Sequence, residues 1–424
     1  MVLNEREQDM LNGARGEVVS KVMKTLVMYG ETFGAERMAA VTGKNGHIVT
    51  SFGLSMLKPV YRLMDALIEA GALSGQPFSA DPRPLDRRVP ANLLQNVVFN
   101  IMYGKQADYE EQLRKTGLLG GDAFTCACYM DEVGNAPGEG DVLSWAESSA
   151  VVYANSVLGA RCNRNSGIIE LFGSIAGCVP YFGLLTDEGR RASWIIDVRS
   201  GKLPEAQVLG SAIGMKVVED VPYIRGLDKY TGRRLSQEVK DYFKDMGAAA
   251  ASNGAVGLFH AEYLTPEAVK YGEKLIKAGA PTYTIDDAEI KRVRDGYPCI
   301  WKNPGAKPKL AFVGCPHLSL RQLAEWTERM AGALKDANRA RVAVPTVFTA
   351  APGVLGAFEK TDGADKLKKM GVTASYICPL MYMNNPLCAK VPVITNSNKL
   401  RTYSSARYCT DGELLEAIAK GALR

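Results

Sequence analysis

No stretch of the 424-residue chain approaches the roughly 18 uninterrupted apolar residues of a membrane helix, so no span is expected. The opening MVLNEREQDMLNGARGE lacks the basic start and apolar run of a secretory signal, which points to a cytoplasmic protein. No two of the nine cysteines form a CxxC pair, which argues against zinc ribbons and ferredoxin-type runs on local spacing. Their odd number, without a signal, also argues against a disulfide framework. Excess charge is scarce: the net value is +5, and Lys and Arg are scattered without interleaved aromatics. That excludes a nucleic-acid stripe and is compatible with a small anionic substrate. Internal repeats and low-complexity tracts are missing as well.

What is present is a soluble-protein composition, 46% hydrophobic and 23% charged, on a chain long enough for two or three domains. Apolar spacing predicts helices over about 5–30, 56–70 and 91–117, the last ending at Gly117. The Pro-rich stretch 76–90 reads as a loop and LSWAESSAVVYANSVL, 143–158, as a helix. Ser236–Asp245 and Pro266–Ala278 read as further helices. After NPGAKPK, 303–309, the pattern becomes regular. Apolar runs at Leu310–Val313, Arg341–Phe348, Val372–Ile377 and Val391–Ile394 alternate with helices, two of them opened by the capping boxes Ser319-x-x-Gln322 and Thr410-x-x-Glu413. Such alternation means a parallel α/β domain. The expected division is 1–302, with a helical N-terminal part and two subdomains, and 303–424.

In parallel sheets ligands lie beyond the carboxyl ends of the strands. Cys315 and His317 in Gly-Cys-Pro-His, Cys378, and Asn396–Ser397 all fall at such ends. Any one cysteine taken alone reads as a small buried hydrophobe. On a helix, Glu147, Ser148, Val151, Asn155 and Leu158 would share one face, with Arg161, Asn163 and Arg164 just beyond it. Arg pairs bidentately with carboxylate or phosphate. The pattern fits a substrate-binding face, and equally a polar helix whose groups satisfy one another.

The stretch Trp145, Glu147–Val151, Tyr153–Ser156, Gly159–Arg161, Asn163 and Arg164 resembles the signature of the aconitase X family. Phe124-Thr125-Cys126, Gly314-Cys315-Pro316-His317 and Thr395-Asn396-Ser397-x-Lys399 resemble its other motifs, so the likeness spans nearly the whole chain. Cys128 and Cys162 stand where the family usually has Pro and Thr, and Leu185 where many members have His.

The resemblance implies a multi-domain, aconitase-like large subunit that eliminates water from a small hydroxy acid. It implies an iron–sulfur cluster on Cys126, Cys315 and Cys378, with 4Fe–4S favoured over 2Fe–2S. Cys128 and Cys388 are the reserve ligands, and Cys162, Cys178, Cys299 and Cys409 are structural. A small swivelling-domain subunit, as a separate chain, would close the site and carry the serine base. His317 and His47 are the candidates for proton transfer or for hydrogen bonding at the cluster. Lys399, Arg161 and Arg164 would hold the anion, Ser397 would orient a carboxylate, and Glu147, Ser148, Asn155, Asn163 and Asn396 would bind substrate. The expected substrate is 5-phosphomevalonate, with cis-3-hydroxy-L-proline or another hydroxy acid as the alternative. A non-catalytic paralogue that kept the fold, and a zinc or thiol enzyme built on Cys315 and His317, are the rivals.

Overall fold

A computed structural model describes residues 1–49 and 52–423. Among these, no helix is long and apolar enough to cross a membrane. The chain is mixed α/β, with two parallel sheets as its main frames. The C-terminal sheet has five strands in the order Val372–Ser375, Thr346–Ala350, Leu310–Leu318, Val393–Thr395 and Arg407–Tyr408, all parallel. The strand order reverses between Leu310–Leu318 and Val393–Thr395, which opens a crevice at their carboxyl ends. A second parallel sheet orders His260–Ala261, Pro222–Arg225, Trp194–Val198 and Thr282–Ile285.

The alternation expected after residue 310 is present, and both capping boxes form. Ser319 Oγ accepts from the Gln322 N–H at 3.1 Å, and Thr410 Oγ1 accepts from that of Glu413 at 3.3 Å. The N-terminal expectations need correction. The helix expected over 5–30 is two, Glu5–Leu11 and Glu17–Thr32, because Gly13 and Gly16 take φ of +89° and +92° between them. The one expected over 91–117 is also two, Leu93–Tyr103 and Gln106–Thr116. The supposed loop 76–90 contains the strand Phe78–Ala80, which pairs in parallel with Gly46–Ile48. The helix expected from 143 begins only at Ser148.

Hydrophobic packing joins distant parts of the chain. Phe99 and Tyr103 of the Leu93–Tyr103 helix share a core with Leu310, Phe312, Ile377 and Tyr382 from around the five-stranded sheet. The helices Ala206–Val217 and Gln237–Asn253 approach so closely that their contact is built from small residues. A Cβ at Gly210 would stand 2.1 Å from the Met246 carbonyl oxygen, and one at Gly214 would stand 2.4 Å from that of Ala250. The run Gly247–Ser252 faces them, and its alanines, good helix formers, carry this helix beyond the expected end at Asp245. Gly210→Ala should therefore lower stability by about 2 kcal/mol despite alanine's better propensity, because backbone must move; the shift of the urea midpoint at constant slope measures it.

Candidate active site

Cys126, Cys315 and Cys378 arrive from three separate segments. Cys126 follows a turn stitched to the Phe78–Ala80 strand, where the Ala80 and Thr125 amides bond the carbonyls of Ala123 and Ala80 at 2.9 and 2.8 Å. Cys315 lies on the Leu310–Leu318 strand directly after Gly314, whose φ is +106° and where a Cβ would meet the Thr349 carbonyl oxygen at 2.4 Å. Cys378 is the N-cap of the short helix Pro379–Met383, and its N–H bonds the Arg83 carbonyl at 2.9 Å. All three are partly exposed and line one cavity of about 210 Å³. Phe52, Pro316, Pro379, Leu380 and Met381 give it apolar walls, and Asp81, Glu147, Ser148 and Lys399 give it polar ones. Burial raises each thiol: Cys126 well above its usual range, Cys315 above it, and Cys378 to about 12. A metal bound here has to displace those protons.

Lys399 donates to the Glu147 carboxylate across the cavity and approaches Ser149 Oγ at 3.5 Å. Both charged groups are nearly buried. Burial works against each charge, but their attraction outweighs it, so the ammonium is held above its ordinary pKa and the Glu147 carboxyl below. Glu147 has φ +73°, unusual for a residue with a Cβ, and its carboxylate also accepts from Ser149 Oγ and, at 2.8 Å, from the Ala150 N–H. It is thus the N-cap of the Ser148–Ser156 helix rather than a member of it. That corrects the helical-face argument. Asn155 points away from the cavity, bonding the carbonyls of Cys162 and Gly257 at 2.8 Å each.

Other expected residues divide the same way. Ser397 caps the Asn398–Tyr403 helix and donates to the Cys315 carbonyl across the crevice. His317 lines the cavity with its ring turned to Thr125 and Ile377. His47 lies one layer behind, between Ser79 Oγ at 2.8 Å and Asp81 at 3.4 Å. Asn163 and Arg164 line a neighbouring cavity of about 480 Å³ that shares Glu147 and Ser148 with the first. Two residues stand elsewhere, contrary to expectation: Arg161 is spent on the Leu185 carbonyl at 2.9 Å and Asp187, and Asn396 on Asp411 at 2.9 Å. The reserve cysteines Cys128 and Cys388 are fully buried in core clusters and do not line the thiol cavity.

Sequence reasoning missed Asp81, hidden in a Pro-rich stretch. Burial, with the nearby Glu147 charge, lifts its carboxyl to about 6 against the pull of His47 and Lys399. It also missed Arg190, buried and bidentate to Glu267 at 2.8 Å, which bonds Asn155 Oδ1 at 3.2 Å and so holds the end of the signature helix. Glu170 is another: it accepts from the Val49 N–H at 2.9 Å, and burial raises it to about 7.

Among the described residues, no group of three or more His, Cys, Asp or Glu side chains is set to hold a metal ion. The zinc or thiol reading rests on Cys315 and His317, and the His317 ring nitrogens are engaged with Thr125 Oγ1 and the Ile377 carbonyl. Three thiols opening onto one cavity, with a polar wall on its other side, do fit a larger group that keeps one face free for substrate.

Residues 1–188 match the family model of the aconitase X first domain, and residues 192–295 that of its second domain. The phosphomevalonate dehydratase large subunit of Thermococcus kodakarensis is 31% identical over 341 residues, covering 78% of each chain. The Aeropyrum pernix protein of the same name is 28% identical and covers 96% of each. The cis-3-hydroxy-L-proline dehydratase of Pseudomonas aeruginosa is 28% identical over 95% of this chain and 66% of its own length. A crystal structure of the holo-form of aconitase X from Thermococcus kodakaraensis superposes with a TM-score of 0.79 at 26% identity, covering 98% of this chain and 99% of that one.

Lys399→Met should cost about 3–5 kcal/mol, since it leaves a buried carboxylate without its cation. Adding Glu147→Gln should recover part of that loss in urea unfolding. For Glu170, whose folded pKa is raised from 4.5 to about 7, the stability held by its protonated form is complete below pH 4.5 and is lost as pH rises through 7. Glu170→Gln should therefore match the wild type in Tm at pH 4.5 and exceed it at pH 8.

Proposed function

The chain belongs to the aconitase X family, and from that premise we propose that it is the large subunit of a two-chain hydro-lyase that removes water from 5-phosphomevalonate. The observation that carries this reading is the cavity where Cys126, Cys315 and Cys378 face the Lys399–Glu147 pair. The three cysteines would hold an iron–sulfur cluster, with 4Fe–4S favoured. When bound, such a group supplies a Lewis acid for the substrate hydroxyl and carboxylate.

The chain's own residues do the rest. Lys399, its charge fixed by Glu147, attracts an anionic substrate to the polar wall. Ser148, on the wall common to both cavities, orients it. Arg164 and Asn163 line the space for the distal, phosphorylated end, where a guanidinium suits a phosphate. Phe52, Leu380 and Met381 keep water away from the reacting carbon. Asp81, with His47 3.4 Å behind it, gives the cavity wall a carboxyl group. The base that takes the carbon-bound proton comes from a small-subunit partner, in line with the relatives' name "large subunit". A division of the chain at 302–303 is supported by the separation of the four- and five-stranded sheets.

The test is anaerobic co-expression with a candidate small subunit, reconstitution, and assay on both named substrates. We expect iron to bind, 5-phosphomevalonate to lose water and cis-3-hydroxy-L-proline to remain. Cys315→Ala should lose most of its iron and at least about 100-fold in activity. Turnover of hydroxyproline alone would move the substrate assignment, and a wild-type complex that takes up no iron would overturn the cluster reading.

A further inference from the structure

The thiols are far apart in sequence, yet one side chain meets all three segments that carry them. His317 stands two residues from Cys315 on the same strand. Its backbone N–H points at Cys126 Sγ, 3.4 Å away. Its Nδ1 lies 3.0 Å from Thr125 Oγ1, beside Cys126, and its Nε2 lies 3.2 Å from the Ile377 carbonyl oxygen, beside Cys378. A carbonyl can only accept, so Nε2 carries the ring proton. Nδ1 is then bare and accepts the Thr125 hydroxyl proton, while Thr125 Oγ1 accepts from the Ala127 N–H at 3.0 Å. The carbonyl of His317 is taken as well. It accepts from Lys244 Nζ at 2.7 Å, and that ammonium is buried beside Asp245 at 3.2 Å. Every polar atom of His317 is engaged, and the residue is 1% exposed. Neither ring nitrogen is left to exchange a proton with a substrate.

We propose that His317 is a positioning residue that ties the three thiol-bearing segments together, and that it carries no proton in the reaction. The inference rests on the cluster reading above for what the thiols are for. The tie itself concerns only this chain and exists before any metal arrives. Without the ring, the carbonyl of Ile377 would lose its N–H, and the turn at Thr125–Ala127 would lose its outer partner. Each of those losses loosens one thiol with respect to Cys315.

The test begins with the reduced, metal-free full chain under anaerobic conditions. Phenylarsenoxide bridges closely placed thiols, and peptide mapping assigns its capture to Cys126, Cys315 and Cys378. His317→Ala should weaken that capture at least about tenfold, as the loss of two buried hydrogen bonds implies. His317→Asn, which keeps one donor and one acceptor, should recover part of it. After reconstitution beside the partner, iron per chain should fall in His317→Ala, while turnover per iron and its pH profile stay as in the wild type. Should His317→Ala not fold, Thr125→Val is read in the same assay and should weaken capture in the same direction. Wild-type capture in these variants would overturn the proposal. So would full iron loading with lost turnover per iron, or a missing limb in the pH profile. Failure of the wild type to bind iron would count against the cluster reading alone, and the arsenical comparison would still decide the role of His317.

Discussion

The contact between Lys399 and Glu147 is the constraint around which the rest of the site is arranged. Two opposite charges are withdrawn from water at the junction of two helix starts, Ser148–Ser156 and Asn398–Tyr403. Removing either would strand the other in a poorly polarisable surrounding. Glu147 keeps its positive φ because its carboxylate is held at once by Lys399, Ser149 and the Ala150 amide. The cavity between the helices and the thiols takes its polar wall from this pair.

The parallel sheets explain why the parts converge there. In the five-stranded sheet the order reverses beside the central strand Leu310–Leu318, so its end and that of Val393–Thr395 diverge into a crevice. Ser397 bridges that crevice by its bond to the Cys315 carbonyl. The N-terminal part fills it from outside. Phe78–Ala80 supports the turn that carries Cys126, and the Leu93–Tyr103 helix braces the segment after Cys378 through the bond of the Tyr103 hydroxyl to the Met381 carbonyl, 3.0 Å.

The sequence was most informative where the physics is local. Ser319 with Gln322, and Thr410 with Glu413, announce helix starts because the bonds they make span only three residues. The position of Cys378 beyond a strand end followed from alternation alone, whereas Cys315 lies within Leu310–Leu318, where the pairing shifts register after Val313. Long-range pairing was illegible. Phe78–Ala80 is a strand because Gly46–Ile48 lies on one side of it and Leu118 and Phe124 on the other, and that placement puts Asp81 at the cavity. Asn155 follows Ser148 and Val151 along the same helix, but one turn deeper, where it bonds the Cys162 and Gly257 carbonyls; spacing gives a face and not its depth. Glu147 itself lies just outside the helix at a positive φ that periodicity cannot reveal. Cys126 entered through family likeness, since nothing near it in the chain announces its neighbours.

The separations along the chain have a temporal consequence. Glu147 and Lys399 are 252 residues apart, and His317 is 191 residues beyond Cys126. At about 5–20 residues per second, on the order of 10–50 s pass between synthesis of the carboxylate and of its cation. Cys126 waits until late in that interval for Cys315 and then Cys378, and through all of it Glu147 has no ammonium to justify its burial. The loop-closure entropy of these contacts falls due only when nearly the whole chain is present. The first three hundred residues thus reach the end of their synthesis with an unfinished seam, and a ribosome-bound or truncated chain exposes a solvated Glu147 and a lone thiol instead of a closed site.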